Sequence, residues 1–285
     1  MALSRYAGRL AELVRGDRPV RNLAGRLLWQ TGLCRHFTIP KDGYRLRFFP
    51  SSVSCAYWID PESRAADERI VTRLLGPGAT YVDVGANVGT LAAAAAARVG
   101  PGGTVHAIEA NPTIAGFLRE NMRLNGFDQV TIHNVAVGAE PGTIRISQRR
   151  ADDMNFVSAD GDGATVELTT LDALLGGLER IDLLKIDVEG FEKFVLDGAA
   201  QVLSVSSNVY IELFDENSAR YGYGAGEILD RLRGHGFACH VVGPDGALRD
   251  ETAGFGECLN VLATRDPGVP ERAVGRRDAA APQGV

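Results

Sequence analysis

Between Thr80 and Ala263 the chain alternates short apolar runs with amphipathic stretches, the pattern of strand, helix, strand units joined by short connections. Tyr81 to Val84 reads as a buried strand, Thr90 to Val99 as a helix of small residues, and Thr104 to Glu109 as the next strand. Asn111 and Pro112 then supply a cap and a first-turn residue to a helix bearing Ile114, Phe117, Leu118 and Leu124, which Asn125 and Gly126 close. Val130 to Val137, Ile181 to Val188 and Val209 to Leu213 are predicted as further parallel strands, with helices at Phe191 to Leu203 and Ile228 to Arg233. No helix joins the last pair, Phe237 to Val242 and Cys258 to Ala263, so these strands are expected to run antiparallel. The expected fold is α/β and Rossmann-like, a mostly parallel seven-stranded sheet with a terminal antiparallel strand pair and helices on both faces.

The flanks differ in character. Phe37 to Asp60 alternates around a turn at Lys41, Asp42 and Gly43 and reads as a β-hairpin flank or lid; Ala65 to Leu75 then reads as a helix, stopped by Gly76, Pro77 and Gly78. Within residues 139–172, strand-like Thr143 to Ser147 and Thr165 to Leu168 bracket a loop, predicting a hairpin whose mobile tip lies near the pocket. The chain divides into an amino-terminal helical segment and hairpin at 1–63, a core domain at 64–264 and a disordered tail at 265–285, where Pro, Gly, Ala and charge dominate. Arg5, Arg9, Arg15, Arg18, Arg21, Arg26 and Arg35 interleave with leucines, a segment expected to pack one face on its own domain. A basic amphipathic helix touching an acidic membrane surface or a partner is the other reading of the same residues.

Composition narrows the function. A formal charge of -6 provides no global field for a polyanion, so nucleic acid is not an expected partner. Cys34, Cys55, Cys239 and Cys258 lack the close pairs of zinc sites, no secretory leader precedes them, and no apolar run is long enough to span a membrane. A cytoplasmic location is expected, and the chain is compatible with a homo-oligomer.

The strongest local signal is Val82-Asp83-Val84-Gly85-Ala86-Asn87-Val88-Gly89, a strand entering a Gly-rich turn and then a helix. Gly85 and Gly89 allow a tight turn and close approach of a ligand, and the helix amino terminus favours a carboxylate or phosphate. Asp83 would repel a diphosphate but suits a ligand carrying an ammonium group. Glu109, at the end of the second strand, is placed to hydrogen-bond the ribose hydroxyls of an adenosine. In the fourth strand, period two puts Leu183, Lys185 and Asp187 on one face, so Lys185 should be buried and paired with Asp187, Glu189 or Glu212. Asp187, Glu189 and Glu212 all lie at carboxyl ends of parallel strands, where open α/β sheets bind ligands.

Taken in order, VDVGANVG, IEANP, LLKIDVEGFE and VYIEL resemble the FkbM family of S-adenosylmethionine-dependent methyltransferases, over roughly residues 74–214. A terminal antiparallel pair likewise separates class I methyltransferases from dinucleotide-binding dehydrogenases, which continue βαβ to the end. The resemblance implies S-adenosylmethionine as methyl donor and methylation of a hydroxyl on a small molecule such as a sugar moiety or secondary metabolite. It also implies cofactor contacts at Asp83, Gly85, Asn87, Gly89 and Glu109, to which Asn111 of IEANP is added. Asp187 is the first candidate base and Glu212 the second, with Lys185 or Glu189 orienting them. The acceptor is expected against residues 51–60, the tip at 152–156, and the loop 214–226 with Tyr221 and Tyr223. No metal is assigned; a divalent ion bridged by Asp187 and Glu212, as in some related sugar O-methyltransferases, has no other support in the residues. An NAD-dependent oxidoreductase and a catalytically silent adenosine-ligand binding protein are the competing readings; the first would need a Tyr and Lys dyad beyond the fourth strand, and none is found.

Overall fold

A computed structural model describes residues 18–146, 163–243, 248–249 and 259–269. Its strands in chain order are β1 (Thr38–Lys41), β2 (Tyr44–Arg47), β3 (Thr80–Val84), β4 (Thr104–Ile108), β5 (Val130–His133), β6 (Ala136–Val137), β7 (Gly142–Ile146) and β8 (Ala164–Thr169). β9 (Leu183–Ile186), β10 (Asn208–Leu213), β11 (Ala238–Val242), β12 (Leu248–Arg249) and β13 (Leu259–Thr264) follow. The main sheet has the order β12-β11-β13-β10-β9-β3-β4-β5. β10, β9, β3, β4 and β5 are parallel, whereas β13 inserts antiparallel between β10 and β11. The expected terminal pair is therefore present, in the mostly parallel, Rossmann-like α/β sheet that the sequence leads one to expect. The sheet has eight strands rather than seven, because two-residue β12 adds to the β11 edge.

Alternation along the central strands separates two cores. Tyr81, Leu183, Tyr210 and Leu262 face α4 (Thr90–Val99), while Val82, Leu184, Ile211 and Val261 face the opposite helical layer. Ala92 to Ala96 are buried on every side of α4, so the small side chains let this helix sit close to the strands. That close seat brings its first turn to the carboxyl ends of β3 and β9.

Several expectations are corrected. Val130 to Val137 is not one strand: Asn134 Nδ2 donates to Glu109 O (2.8 Å) and Ala110 O (3.1 Å), turning the chain so that β6 joins a separate sheet with β8 and β7. Phe191 to Leu203 is two helices, Glu192–Asp197 and Ala200–Val205, broken where Gly198 packs so tightly that a Cβ would lie 2.1 Å from Gly138 O. Only the first part of Phe37 to Asp60 is hairpin, with Lys41 opposite Tyr44; Ser52–Ile59 is a helix, capped by Ser51 Oγ accepting from Ser54 N at 3.0 Å. The 143–168 hairpin forms, with Arg145 opposite Thr165, but its tip lies outside the described residues, as do residues 1–17. Residues 265–269 do not behave as a loose tail: Arg265 donates to Leu203 O (2.9 Å) and Ser206 O (2.6 Å), and Val269 is buried. Residues 270–285 lie outside the described residues.

Candidate active site

The carboxyl ends of β3, β4 and β9 open on a cleft, and Asp83, Gly85, Asn87, Glu109, Asn111, Lys185, Asp187 and Glu189 all line it. Gly89 is the one expected cofactor residue outside that wall, and Glu212 lies in a smaller adjoining chamber with Arg64, Asp67 and Tyr210.

Cross-strand register builds the charged centre. Asp83 on β3 is the direct neighbour of Lys185 on β9, and both side chains are buried. Lys185 Nζ lies 3.3 Å from Asp83 Oδ1 and 3.2 Å from Asp187 Oδ2, and donates to Gly85 O at 3.2 Å. The expected carboxylate partner of Lys185 is thus Asp187, with Asp83 as a second that the spacing along one strand does not reveal. Burial opposes the charge on Lys185, but Asp187 and Asp83 outweigh it and push the ammonium pKa upward. Burial likewise raises the Asp83 pKa, and Lys185 offsets this only in part. Asp83 Oδ1 is met by the Lys185 ammonium, and the carboxylate, buried in the wall of the cleft, keeps lone pairs for a further donor.

Asp187 differs. Burial would raise its pKa, yet Lys185, Arg64 and a hydrogen bond from Glu212 together hold it below the usual carboxylate range. Arg64 Nη1 is 3.9 Å from Asp187 Oδ2. Arg64 precedes the helix Ala65–Leu74 and belongs to no motif, so nothing in the sequence marks it; only folding brings it between the cleft and the chamber. Tyr210 Oη donates to Asp67 Oδ1 at 2.6 Å and closes the back of the chamber.

Glu109 is held by two loops. Its Oε2 accepts from Asn87 N (3.0 Å) and its Oε1 from Asn111 N (2.7 Å). The Asn111 side chain itself caps the helix Pro112–Asn125 through Thr113 N at 2.9 Å. Asn87 takes a left-handed backbone, φ 51°, that turns its amide toward Glu109. The two glycines serve packing: a Cβ on Gly85 would lie 1.8 Å from Asp187 O, and one on Gly89 would lie 2.3 Å from Leu118 Cδ1. Gly85 thus lets the β3 turn and the end of β9 touch, which is why Asp83 and Asp187 can share one lysine.

Glu189, in the wall of the cleft, accepts from Asn217 Nδ2 at 2.7 Å. Two expected tyrosines fall elsewhere. Tyr223 is buried, with its hydroxyl donating to Gly190 O at 2.6 Å, and Tyr221 packs edge-on against Phe191 and Phe194. These tyrosines support the loops and do not line the cleft. Of residues 51–60, Val53 does line it. Among the described residues no group of three or more His, Cys, Asp or Glu is arranged to hold a metal. Lys185 and Arg64 already supply positive charge to Asp187, so the Asp187 and Glu212 pair does not fit a bridging divalent ion.

The site therefore presents an oriented carboxylate on one wall, a buried carboxylate paired with Lys185 at its base and a second carboxylate flanked by two cations. The chain is similar to "Methyltransferase 1" of Beauveria bassiana (strain ARSEF 2860), with 28% identity over 195 residues that cover 59% of this chain and 76% of that protein. Similar solved structures include a SAM-dependent methyltransferase from Aquifex aeolicus (TM-score 0.44, 16% identity, 73% of this chain and 94% of that one). Another is precorrin-6y C5,15-methyltransferase from Geobacter metallireducens (TM-score 0.42, 15% identity, 70% of this chain and 87% of that one). The model of the methyltransferase FkbM domain matches residues 83–239, more than half of the chain, and the chain belongs to that family: it is an S-adenosylmethionine-dependent methyltransferase.

Proposed function

We propose that the protein transfers the methyl group to a hydroxyl oxygen of a small molecule, a sugar moiety or secondary metabolite, with Asp187 as the proton acceptor. The observation that carries this reading is the Asp83, Lys185, Asp187 charge chain at the strand ends beside the anchored Glu109.

The residues fit S-adenosylmethionine. The Asp83 carboxylate at the wall of the cleft, met by Lys185 through one oxygen, keeps lone pairs that suit a ligand ammonium, and Glu109, fixed by two amides, keeps lone pairs for ribose hydroxyls. Asn87 and Asn111 act by orienting Glu109. Glu109→Gln would turn an amide NH₂ toward a backbone N–H, and is expected to weaken cofactor affinity about ten- to a hundredfold by calorimetry. Unchanged affinity would remove Glu109 from the cofactor site.

When bound, S-adenosylmethionine would supply an electrophilic methyl group, the acceptor oxygen forming its bond to the methyl carbon as the carbon–sulfur bond breaks and S-adenosylhomocysteine leaves as a neutral thioether. An alcohol is scarcely ionised at neutral pH, so its proton must leave as the new bond forms. Asp187 is suited to take it, because Lys185 and Arg64 keep the carboxylate ionised and hold its orientation. Arg64→Gln is expected to shift the acid limb of the kcat profile upward, since one of the cations that depress the Asp187 pKa is lost. A limb that does not move would show that Asp187 is not the group it reports.

Oxygen as acceptor is tested by methylating candidate hydroxyl compounds and mapping the product. The expected product is a methyl ether, stable to alkali and carrying its new methyl on oxygen. Product methylated on nitrogen or carbon, with hydroxyl compounds untouched, would refute the reading.

A further inference from the structure

The large exposed apolar side chains among the described residues are Val20 (79% exposed), Leu23 (57%), Leu27 (61%), Leu33 (51%) and Phe37 (41%), all within residues 20–37. Three of them fall on one face of the helix Pro19–Thr31, at intervals of three and four. The opposite face is the packed one. Gly25 is buried there, so close to Trp58 that a Cβ would lie 2.8 Å from its Cδ1, and Leu28 and Trp29 join the core. The helix thus does pack one face on its own domain, as its sequence leads one to expect, and carries a second apolar stripe pointing away from it.

Charge selects the occupant. Residues 18–41 contain Arg18, Arg21, Arg26, Arg35 and Lys41 and no acidic residue; Lys41 is buried against Glu68 and Arg18 pairs with Asp60, so Arg21, Arg26 and Arg35 are the cations this segment offers a partner. Over residues 1–41 there are eight Arg and Lys against Glu12 and Asp17, a charge of +6, which leaves -12 for the remainder of a chain whose total is -6. A second copy docking the same face would oppose like charges. The chain's own residues 1–17 are also net basic, with Arg5, Arg9 and Arg15 against Glu12 and Asp17, and so complement it no better. An anionic lipid surface matches both features, since its headgroups attract arginines while its acyl boundary takes up Val20, Leu23 and Leu27.

We propose that the helix Pro19–Thr31 docks the enzyme peripherally on anionic lipid membranes through Val20, Leu23 and Leu27, with the surrounding arginines supplying the attraction. The inference is independent of the acceptor assigned above. No helix among the described residues is long and apolar enough to cross a membrane, so attachment would be at the surface.

The test is co-sedimentation of the full chain with vesicles of phosphatidylcholine alone and of phosphatidylcholine mixed with phosphatidylserine. Binding is expected only to the mixed vesicles, to weaken with salt, and to fall at least about tenfold in the double variant Leu23→Glu, Leu27→Glu. Both positions are exposed, so thermal melting and methyl transfer in solution should match the parent. Equal binding by parent and variant, or no binding to either vesicle, would overturn the proposal. Sedimentation showing a dimer that the variant dissociates, without vesicle binding, would assign the face to a second copy and overturn it as well.

Discussion

Asp187→Asn is expected to lower kcat by about 10²- to 10⁴-fold, the usual contribution of a positioned base, while cofactor affinity stays within about twofold. The amide keeps the shape of the carboxyl but cannot accept the hydroxyl proton, and Lys185 retains Asp83 as an ionic partner. Because Lys185 and Arg64 hold the Asp187 pKa below the ordinary carboxylate range, its ionisation should leave kcat flat through neutral pH. Turnover should fall only in strong acid, where the carboxylate finally protonates. Single-turnover kinetics alongside calorimetry would separate the two effects. A parallel loss of affinity and turnover would place Asp187 at the cofactor instead.

Lys185→Met should be the most damaging substitution for stability, because it leaves two carboxylates facing each other in a buried site. Removing one partner of a buried ion pair costs about 3–5 kcal/mol. At about 2–4 °C per kcal/mol for a domain of this size, melting should drop by roughly 6–20 °C. The deficit has a definite pH dependence. Without the ammonium, Asp83 and Asp187 bind protons more readily in the folded state than in the unfolded one, so folding takes up protons. Stability of the variant relative to the parent should therefore recover as the pH is lowered toward the carboxylate range and worsen as it rises. A pH-independent difference would mean that lost packing, not unpaired charge, sets the cost.

Much of this arrangement was legible in the chain before folding. Period two placed Lys185 and Asp187 on one face of a buried strand, and burial of an ammonium demanded a carboxylate nearby. The end of β4 likewise locates Glu109, and the lack of a helical pattern before Cys258 foretells an antiparallel last pair, though not that β13 inserts between β10 and β11. Illegible was whatever depends on contact between distant segments. Asp83 and Lys185 become neighbours only through the β3 and β9 register, and Arg64 reaches Asp187 from a loop with no motif. Gly85 and Gly89 read as the glycines of a tight turn, and their φ of 79° and 85° agree; that Asp187 O and Leu118 also forbid a side chain there depends on contacts between distant segments. Tyr223 misled for a related reason: a tyrosine in a Gly-rich loop carries no sign of whether its hydroxyl meets solvent or, as here, Gly190 O.

The central claim is a division of labour along one row of strand ends, with Glu109 and Asp83 on the cofactor and Asp187 on the acceptor. A crystal structure of the complex with S-adenosylmethionine tests it most directly. The ribose hydroxyls are expected on Glu109, the amine beside Asp83, and the methyl group directed toward Asp187 and Arg64. A bound molecule whose ribose lies away from Glu109, or whose methyl points away from Asp187, would contradict the account.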